Sequence, residues 1–315
     1  MFDNKNGGID RRGMLECMVW VGTGVLWTVQ GGVPKSLGLL GEAKAQAAPG
    51  AFTFMQISDS HIGFNKPANP NVLGTLQEAI DRIKAMPTKP DFMIHTGDIS
   101  HLSRANEFDD ADKVIGSAGL DVHYVPGEHD MIDEDNGKAY MDRYGRRAGA
   151  KGPGYYSFDA GGVHFVGLVN VANLKAGGMG SLGEEQLAWL ADDLHTKSAS
   201  TPIVVFAHIP LWTVYPEWGW GTEDSAKALD LLKGFGSVTV LNGHIHQLMQ
   251  KVEGNVTFHT AMATAFPQPQ PGTAASPGPM TVPAERLRSL LGVSKVEVRR
   301  GQKQLAIIDQ PLAES

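Results

Sequence analysis

The sequence predicts an α/β fold in which helices cover a mixed or parallel sheet. From residue 49 onward, short apolar runs of strand length alternate with segments whose apolar residues recur at helical spacing. Pro87 ends the first helical segment and Pro126-Gly127 stops the third short run, since proline and glycine punctuate regular elements. The second half of the chain is richer in strand-like runs than the first, which indicates more β-structure there.

The first half predicts three strands and two helices. Apolar residues recur at helical spacing from Leu73 to Ile83, and Pro87 ends that helix. A Pro-Gly pair at residue 126 stops the third strand. The predicted strands are 52–57, 92–95 and 122–125, and the predicted helices are 72–86 and 108–115.

The second half predicts a hairpin, one helix and a series of closing strands. Leu187, Leu190 and Leu194 share one face of the predicted helix 184–194. An aromatic loop at 215–222 and a surface excursion at 266–283, rich in Pro, Gly and Ala, are predicted to be irregular. The hairpin is predicted at 155–158 and 163–169, and the other strands at 203–206, 238–241, 256–259, 295–298 and 304–308.

Residues 1–48 differ in character and predict an export signal with a linker. Arg11-Arg12 precedes a glycine-diluted apolar run at 18–33, and the small residues at 45–48 fit a cleavage site, an order typical of a twin-arginine signal. The run is shorter and richer in glycine than a comfortable membrane span of about 20 apolar residues. The alternatives are a disordered N-terminus, a misassigned start codon or a retained signal anchor.

We therefore expect a periplasmic or secreted protein, with one domain at residues 49–315 and no stable membrane span once the signal is removed. A cytoplasmic protein is expected if the signal is absent.

The composition disfavours several functional classes. The chain has 27 basic and 34 acidic residues and a net charge of −7, which disfavours a nucleic-acid backbone as the main partner. Its single cysteine, Cys17, lies in the predicted signal, so neither an intrachain disulfide nor a cysteine metal site is expected. The Gly-x-Ser-x-Gly motif of serine hydrolases is absent from the sequence. The sequence therefore contains no strong motif for a covalent nucleophile.

Five short apolar runs end in residues that commonly bind metal ions. Because loops at the carboxyl ends of neighbouring strands converge on one crevice, ligands far apart in sequence can meet in space. Carboxylate oxygens and imidazole nitrogens together suit Zn²⁺, Mn²⁺ or Fe ions. Gly97 and Gly127 allow tight turns and close backbone approach in the second and third loops. The candidate residues are Asp59 and His61, Asp98, Glu128 with His129 and Asp130, His208, and His244 with His246.

These residues give the chain a resemblance to the calcineurin-like metallophosphoesterase family over residues 51–265. Within the family it looks most like the cyclic-nucleotide and glycerophosphodiester phosphodiesterase branch, since an Ile-Ser-Asp-Ser-His opening is followed by a helix and a Thr-Gly-Asp motif. The resemblance implies a four-layer αββα sandwich, with two mixed sheets flanked by helices. The motifs that carry it are Asp59-x-His61, Gly97-Asp98, Gly127-Glu128-His129-Asp130, His208 and Gly243-His244-x-His246.

The resemblance also implies a centre that binds two divalent or mixed-valence metal ions, Mn, Zn or Fe. Each ion would be held by one carboxylate and two imidazole side chains, and one more carboxylate would bridge both ions. The implied ligands are Asp59, His61 and His246 for the first ion, Glu128, His208 and His244 for the second ion, and Asp98 as the bridge.

Two further residues are implied to serve catalysis. His129 would lie beside the leaving group, where it donates a proton or stabilises phosphoryl charge. Asp130 would orient His129 by accepting the proton on its other ring nitrogen.

Two positions depart from the family pattern. Glu128 stands where the family normally has asparagine, and the added negative charge should hold the second ion more tightly and reduce its Lewis acidity. Glu128 either serves as an ordinary carboxylate ligand or marks a site that binds metal and turns over slowly. His101 stands where the branch often has aspartate, and we expect it to support a ligand or to lie at the surface.

Five other histidines are expected to be structural. His95, His123, His164 and His259 lie within or at the edges of predicted strands. His195 closes a predicted helix, where a positive charge is favourable.

Four aromatic residues, Trp212, Tyr215, Trp218 and Trp220, follow His208 closely. They could form a wall over the site that contacts a base or an alkyl group, a satellite hydrophobic cluster, or a dimer contact. The sequence leaves these alternatives and the oligomeric state open.

We expect the chain to hydrolyse a phosphate ester of a small molecule, with a phosphodiester favoured. A hydroxide shared by two metal ions about 3.5–4 Å apart would attack phosphorus in line while the ions neutralise the phosphoryl oxygens. Phosphomonoesterase, nuclease and protein phosphatase activities use the same kind of site and remain alternatives. A further alternative is a protein that binds metal ions and phosphate esters without cutting them. The sequence does not identify the natural substrate or the metals loaded.

Overall fold

The computed structural model describes residues 25–30, 33–38, 52–145, 150–299 and 305–313. Contacts along the chain separate a unit that ends at Gln46 from a unit that begins at Ala47. Within the described ranges, no helix is both long enough and apolar enough to cross a membrane.

In the first unit, strands β1 (Val25–Gln30) and β2 (Val33–Gly38) pair antiparallel. Part of the apolar run of the predicted export signal is therefore a strand. The Arg11-Arg12 pair and the predicted cleavage site at residues 45–48 lie outside the described residues.

The second unit contains eleven strands and six helices in its described residues. The strands are β3 (Phe52–Ile57), β4 (Phe92–His95), β5 (Asp121–Tyr124), β6 (Tyr156–Ala160), β7 (Val163–Gly167), β8 (Ile203–Phe206), β9 (Val238–Asn242), β10 (Met249–Glu253), β11 (Val256–Thr260), β12 (Gly292–Val298) and β13 (Ala306–Pro311). The helices are α1 (Val72–Lys84), α2 (Ala105–Gly116), α3 (Lys138–Arg143), α4 (Glu184–His195), α5 (Ser225–Leu232) and α6 (Ala284–Leu287).

The strands form two mixed sheets. The five-stranded sheet has the order β13-β12-β3-β4-β5, in which β3, β4 and β5 are parallel and the other pairs are antiparallel. The six-stranded sheet has the order β10-β11-β9-β8-β7-β6, in which the four central strands are parallel and both edge strands are antiparallel.

Alternate residues of the central strands face different cores, as the two-residue period of a strand requires. Phe54 of β3 and Phe206 of β8 pack together in a core between the two sheets. Met55 of β3 packs against residues of α1 and α2 on the outer face of the first sheet. Val205 of β8 packs in the same way against α4 and α5 on the outer face of the second. The predicted four-layer αββα sandwich is therefore confirmed.

Most predicted elements are present within a few residues of their expected ends. Helix α2 begins at Ala105, three residues earlier than predicted, because the Glu107 carboxylate accepts the backbone N–H of Leu102 at 2.7 Å and organises the first turn. Helices α3, α5 and α6 and strand β10 were not predicted. Strand β10 lies at the sheet edge and is largely exposed, so its sequence carries no apolar alternation.

The segment at 266–283 has no regular helix or strand, as predicted. The prediction that it lies at the surface is wrong for its first two residues. Phe266 and Pro267 are buried because they pack at the site described below.

Candidate metal centre

The five predicted ligand loops follow the carboxyl ends of five strands, three in one sheet and two in the other. Strands β3, β4 and β5 are parallel neighbours, and so are β8 and β9, so the loops of each set leave their sheet at one edge. The structure brings all seven predicted ligands together in groups whose ligand atoms lie within 4.8 Å of one another.

The backbone at most of these ligands is strained. Asp59, His61, Asp98, His244 and His246 all have positive φ angles, between 41° and 71°. Residues with a Cβ rarely adopt this region, and each instance costs on the order of 1–3 kcal/mol. Such strain tends to cluster at functional sites, where the surrounding structure holds it in place.

Asp59, His61 and His246 form the first group, which is buried. His246 Nε2 lies 3.3 Å from Asp59 Oδ1 and 3.2 Å from His61 Nε2. His246 Nδ1 donates to the Phe266 carbonyl oxygen at 2.5 Å, so in the neutral ring the lone pair lies on Nε2. That lone pair is therefore available to an ion held by this group.

Glu128, His208 and His244 form the second group. The two Glu128 oxygens lie 2.9 Å from His208 Nε2 and 3.0 Å from His244 Nδ1. His208 Nδ1 donates to the Thr96 carbonyl oxygen at 2.7 Å, which again leaves the lone pair on Nε2 in the neutral ring.

Buried atoms of the second group lack hydrogen-bond partners. They are Glu128 Oε2, His208 Nε2 and both ring nitrogens of His244, which lie close to one another but make no hydrogen bond of acceptable geometry within the described residues. Unpartnered buried polar atoms are rare in folded proteins, and a cluster of them calls for an ion or other ligand. These carboxylate and imidazole groups thus fit a transition-metal ion in both number and chemistry.

Asp98 joins the two groups. Its Oδ2 lies 3.3 Å from His61 Nε2 and 3.4 Å from His208 Nε2, which belong to different groups. Its Oδ1 accepts the backbone N–H of His129 at 2.9 Å, which fixes the carboxylate. The position is the one expected of a residue that bridges two ions.

The charges of the centre favour bound cations. Burial acts to raise the pKa of Asp59, but the imidazoles of His246 and His208 lower it to about 2. Burial acts to lower the pKa of His208, but the carboxylates of Asp98 and Glu128 raise it well above its ordinary value. Without a metal ion, the buried carboxylates therefore draw a proton onto His208.

Three glycines let the ligand loops approach one another. A Cβ on Gly127 would lie 2.0 Å from Asp98 Oδ1, and a Cβ on Gly243 would lie 2.0 Å from Ser58 Oγ. Gly97 has a φ of +97°, and a Cβ there would meet the Gly127 backbone nitrogen at 2.6 Å. The predicted need for glycine at 97 and 127 is confirmed.

The orientation of His129 differs from the predicted one. Its Nδ1 donates to the His101 carbonyl oxygen at 2.7 Å, not to Asp130. Asp130 is fully buried and accepts the backbone N–H groups of Ile99, Ser100 and Gly127. The predicted role of Asp130 in orienting the His129 ring is therefore wrong, because its carboxylate points into these loops and ties them together.

His101 supports the first group through its ring. Its Nδ1 lies 3.3 Å from His61 Nδ1, and its ring stacks on that of His129, with centroids 4.9 Å apart. Of the two expectations for His101, support of a ligand is the one observed.

The other histidines lie outside the candidate metal groups of the described residues. His95 pairs with Ser60, and His123 stacks on Phe158. His164 contacts two aspartates and His259 contacts one, while His195 ends α4 as predicted. The contacts of His95, His123, His164 and His259 are consistent with the structural roles predicted for them.

The aromatic residues after His208 belong to two clusters. Trp218 and Trp220 pack against Ile245, the residue between His244 and His246. Tyr215 lies at the edge of this cluster, whereas Trp212 contacts Phe258 in the outer core of the six-stranded sheet. The structure shows a satellite hydrophobic cluster that supports a ligand loop.

Phe266 is a site residue that the sequence did not reveal. Its carbonyl oxygen fixes His246, and its ring lies against the rings of His61 and His246 at centroid distances of 4.8 Å. An apolar residue in a proline-rich segment carries no signal of such a role.

Comparison with known proteins agrees with this geometry. Residues 52–248 match the Calcineurin-like phosphoesterase family. Purple acid phosphatase 15 of Arabidopsis thaliana is 33% identical over 132 residues, which cover 39% of this chain and 24% of that protein. The glycerophosphodiester phosphodiesterase GpdQ of Enterobacter lignolyticus is 24% identical over 224 residues, which cover 68% of this chain and 77% of that protein.

Among solved structures, a dimetal phosphatase from Danio rerio has a TM-score of 0.64 at 15% identity and covers 84% of this chain and 97% of that chain. This likeness shows the fold, whereas the chain matches only about a quarter of the length of the purple acid phosphatase. The family match covers more than half of the chain and includes all five ligand loops, so the protein is a member of the calcineurin-like phosphoesterase family.

Proposed function

We propose that this protein is a two-metal phosphodiesterase acting on a small-molecule phosphodiester. The observation that carries the proposal is the position of Asp98, whose Oδ2 lies within 3.4 Å of a ring nitrogen in each of the two ligand groups. Two divalent ions bound there would supply positive charge against the phosphoryl oxygens and acidify a water molecule.

His129 is the residue placed to transfer a proton. It belongs to candidate groups with His61 and with Asp98, so it borders both halves of the centre. Because its Nδ1 donates to the His101 carbonyl oxygen, Nε2 is the nitrogen left to face a substrate. In the metal-free protein, burial acts to lower the pKa of His129, but the carboxylates of Asp98 and Glu128 raise it. An imidazole beside the centre is suited to donating a proton to a leaving oxygen.

The charge of the ligand set supports a diester over a monoester. Asp59, Asp98 and Glu128 offset three of the four positive charges of two divalent ions. A metal-bound hydroxide would offset the fourth charge, and a centre with so little net positive charge disfavours a phosphomonoester dianion more than a phosphodiester monoanion. The similarity to a glycerophosphodiester phosphodiesterase supports the same choice.

The test starts from protein that has been stripped with a chelator and refilled with Mn²⁺ or Zn²⁺. We expect bis-p-nitrophenyl phosphate to be hydrolysed with a higher kcat/KM than p-nitrophenyl phosphate. Asp98→Ala and His208→Ala should each reduce kcat by at least about 100-fold, since each removes a metal ligand. His195→Ala, at the exposed end of α4, serves as the matched histidine control.

Undiminished hydrolysis by Asp98→Ala would refute the site assignment. A preference for the monoester would instead favour a phosphatase, the activity named for the Arabidopsis and Danio proteins. Metal binding without turnover on either ester would favour a protein that binds phosphate esters without cutting them.

We also propose export through a twin-arginine signal in residues 1–48, on the evidence of Arg11-Arg12, the apolar run and the small residues at 45–48. The full chain would be expressed in a bacterial host with this export pathway. We expect a shortened protein in the periplasmic fraction, and retention in the cytoplasm when both arginines are changed to lysine. Equal export of the two forms would contradict this proposal.

A further inference from the structure

A cavity of about 560 Å³ lies beside the first ligand group, outside the centre described above. His246 forms part of its wall, so the cavity and the centre share a residue. Most of the remaining wall comes from residues 262–290, beyond the segment 52–248 that matches the family. The cavity wall is therefore formed largely by the irregular segment at 266–283 and by residues between 286 and 290, in the C-terminal part of the chain.

Hydrogen bonds fix this wall to the ligand loop. Gln268 Nε2 donates to the His244 carbonyl oxygen at 3.1 Å, and Gln247 Nε2 donates to the carbonyl oxygens of Gln268 and Pro269. The Met280 backbone N–H donates to the Pro267 carbonyl oxygen at 2.8 Å and folds the segment back on itself. The wall thus has a defined position relative to His244 and His246.

Apolar atoms form most of the surface of the cavity wall, although seven of its thirteen residues have polar or charged side chains, and two of these bear on what the cavity could bind. Gln268 Oε1 is a buried acceptor without a hydrogen-bond partner. Arg286 also lines the cavity and has no ion pair among the described residues. Apolar walls with a few polar groups are typical of sites for organic ligands. The apolar side chains are Leu248, Met262, Pro267, Met280, Val282 and Leu290.

We propose that this cavity binds the organic substituent of the phosphate ester, and that the substituent is apolar with an anionic group at its far end. The phosphoryl group would lie at the metal centre and the substituent would extend past His246 toward Arg286. The guanidinium suits a carboxylate or phosphate, since it pairs with planar or tetrahedral anions through several N–H groups. This inference rests on the proposed function, because it assigns specificity to the same site.

The test measures binding, so that it does not depend on turnover. Phosphinates carry two P–C bonds that a phosphoesterase cannot hydrolyse. Protein loaded with Mn²⁺ would be titrated by calorimetry with dimethylphosphinate, diphenylphosphinate and bis(4-carboxyphenyl)phosphinate. Because the cavity would bury a phenyl ring, diphenylphosphinate should bind at least about tenfold more tightly than dimethylphosphinate.

Two variants should fill the cavity and one should not. Met280→Trp and Val282→Trp are each expected to abolish the preference for the diphenyl probe and to leave the dimethyl affinity within about twofold. Ala275→Trp, at an exposed position of the same segment that does not line the cavity, should retain the preference. Thermal unfolding of each variant would verify that it is folded.

Arg286→Gln tests whether the guanidinium binds an anionic group of the ligand. It should weaken binding of the bis-carboxylated probe by about tenfold and leave the diphenyl probe unchanged.

Equal affinity of wild-type protein for the dimethyl and diphenyl probes would overturn the inference. So would a preference that survives in both filling variants. An Arg286→Gln variant with unchanged affinity for the carboxylated probe would overturn the assignment of the anionic group. If the phosphinates show these preferences but no ester is hydrolysed, the cavity assignment stands and the proposed catalytic function fails.

Discussion

At the residue scale, Gly127 controls the bridging carboxylate without contributing a side chain. Its φ of −93° is accessible to any residue, so the need for glycine comes from space and not from backbone conformation. An added Cβ would lie 2.0 Å from Asp98 Oδ1 and 2.3 Å from the Asp98 backbone nitrogen. Asp98 could then not keep its position between the two ligand groups.

We therefore expect Gly127→Ala to weaken metal binding by about 10–100-fold, the usual effect of disturbing a residue that supports a ligand. Metal content after dialysis against a graded chelator series would measure the loss. Gly116→Ala, at the end of α2, is the matched control, since a Cβ there meets nothing within 4 Å. Equal metal retention by the two variants would show that a Cβ at residue 127 does not affect metal binding.

Glu128 sets the charge of the second ligand group, with both oxygens directed at histidines of that group. Glu128→Asn removes one negative charge and keeps an oxygen donor. We expect second-site metal affinity to fall by at least about tenfold, and the kcat/KM ratio of monoester to diester to rise by a similar factor at saturating metal. Steady-state kinetics on p-nitrophenyl phosphate and bis-p-nitrophenyl phosphate would measure the ratio.

A ratio unchanged in Glu128→Asn would contradict the charge argument for diester preference. Glu128→Ala provides the comparison in which the ligand itself is lost, and it should lose the second ion and most of the activity.

The sequence could predict which residues form the centre, but not how each is oriented. Asp59, Asp98 and His208 follow strands, and the convergence of strand ends is a general property of such sheets. The direction of the Asp130 carboxylate depends on the amides of Ile99 and Ser100, about 30 residues away along the chain. No local pattern encodes that contact.

At the element scale, the loop from His244 to His246 rests on an aromatic cluster. Ile245 is fully buried against Trp218 and Trp220, while the histidines on either side have strained positive φ angles. Packing of Ile245 thus helps to hold a backbone conformation that would otherwise relax.

Trp220→Ala should destabilise the fold by about 3–5 kcal/mol and also weaken metal binding, because it opens a cavity beneath Ile245. Trp212→Ala is the matched control, since Trp212 packs on Phe258 in another core. Denaturant unfolding with and without Mn²⁺ would separate the two effects. The expectation fails if both variants lose the same increment of metal-dependent stability.

Elements with a strong apolar pattern could be predicted, and those held by tertiary context could not. The residues of β3, β4 and β8 are largely buried, and their apolar runs are evident in the sequence. Strand β10 is exposed at a sheet edge, and α5 buries only Ala228 and Leu232. The β10 sequence carries no apolar alternation, and α5, although five of its eight residues are apolar, is too short for its helical spacing to be recognised.

At the scale of the whole second unit, the metal centre draws its ligands from both sheets. Asp59, Asp98 and Glu128 follow strands of the five-stranded sheet, and His208 and His244 follow strands of the six-stranded sheet. Bound ions would therefore link the two sheets, and ligand binding to the folded state alone stabilises it by mass action. We expect metal removal to lower the stability of the sandwich as a whole.

The stabilisation by bound metal should depend on pH, and the titration of His208 determines whether it rises or falls as the pH increases. Its pKa is raised well above the ordinary 6.5 in the metal-free protein, against the effect of burial, by the carboxylates of Asp98 and Glu128. The protonated ring thus stabilises the metal-free fold at low pH, and this contribution is lost as the pH rises through the raised pKa. A ligating His208 must be neutral, so metal binding at neutral pH has to displace its proton.

We therefore expect metal affinity to increase with pH by up to about tenfold per unit while one proton is displaced, and the gap in Tm between metal-loaded and metal-free protein to widen. Calorimetric titrations with Mn²⁺ in buffers of different ionisation enthalpy would count the protons released. His208→Gln should release about one proton fewer than the wild type while the first ligand group still binds metal. Identical heats in all buffers would mean that His208 is already neutral and that the carboxylates around it are balanced by another charge.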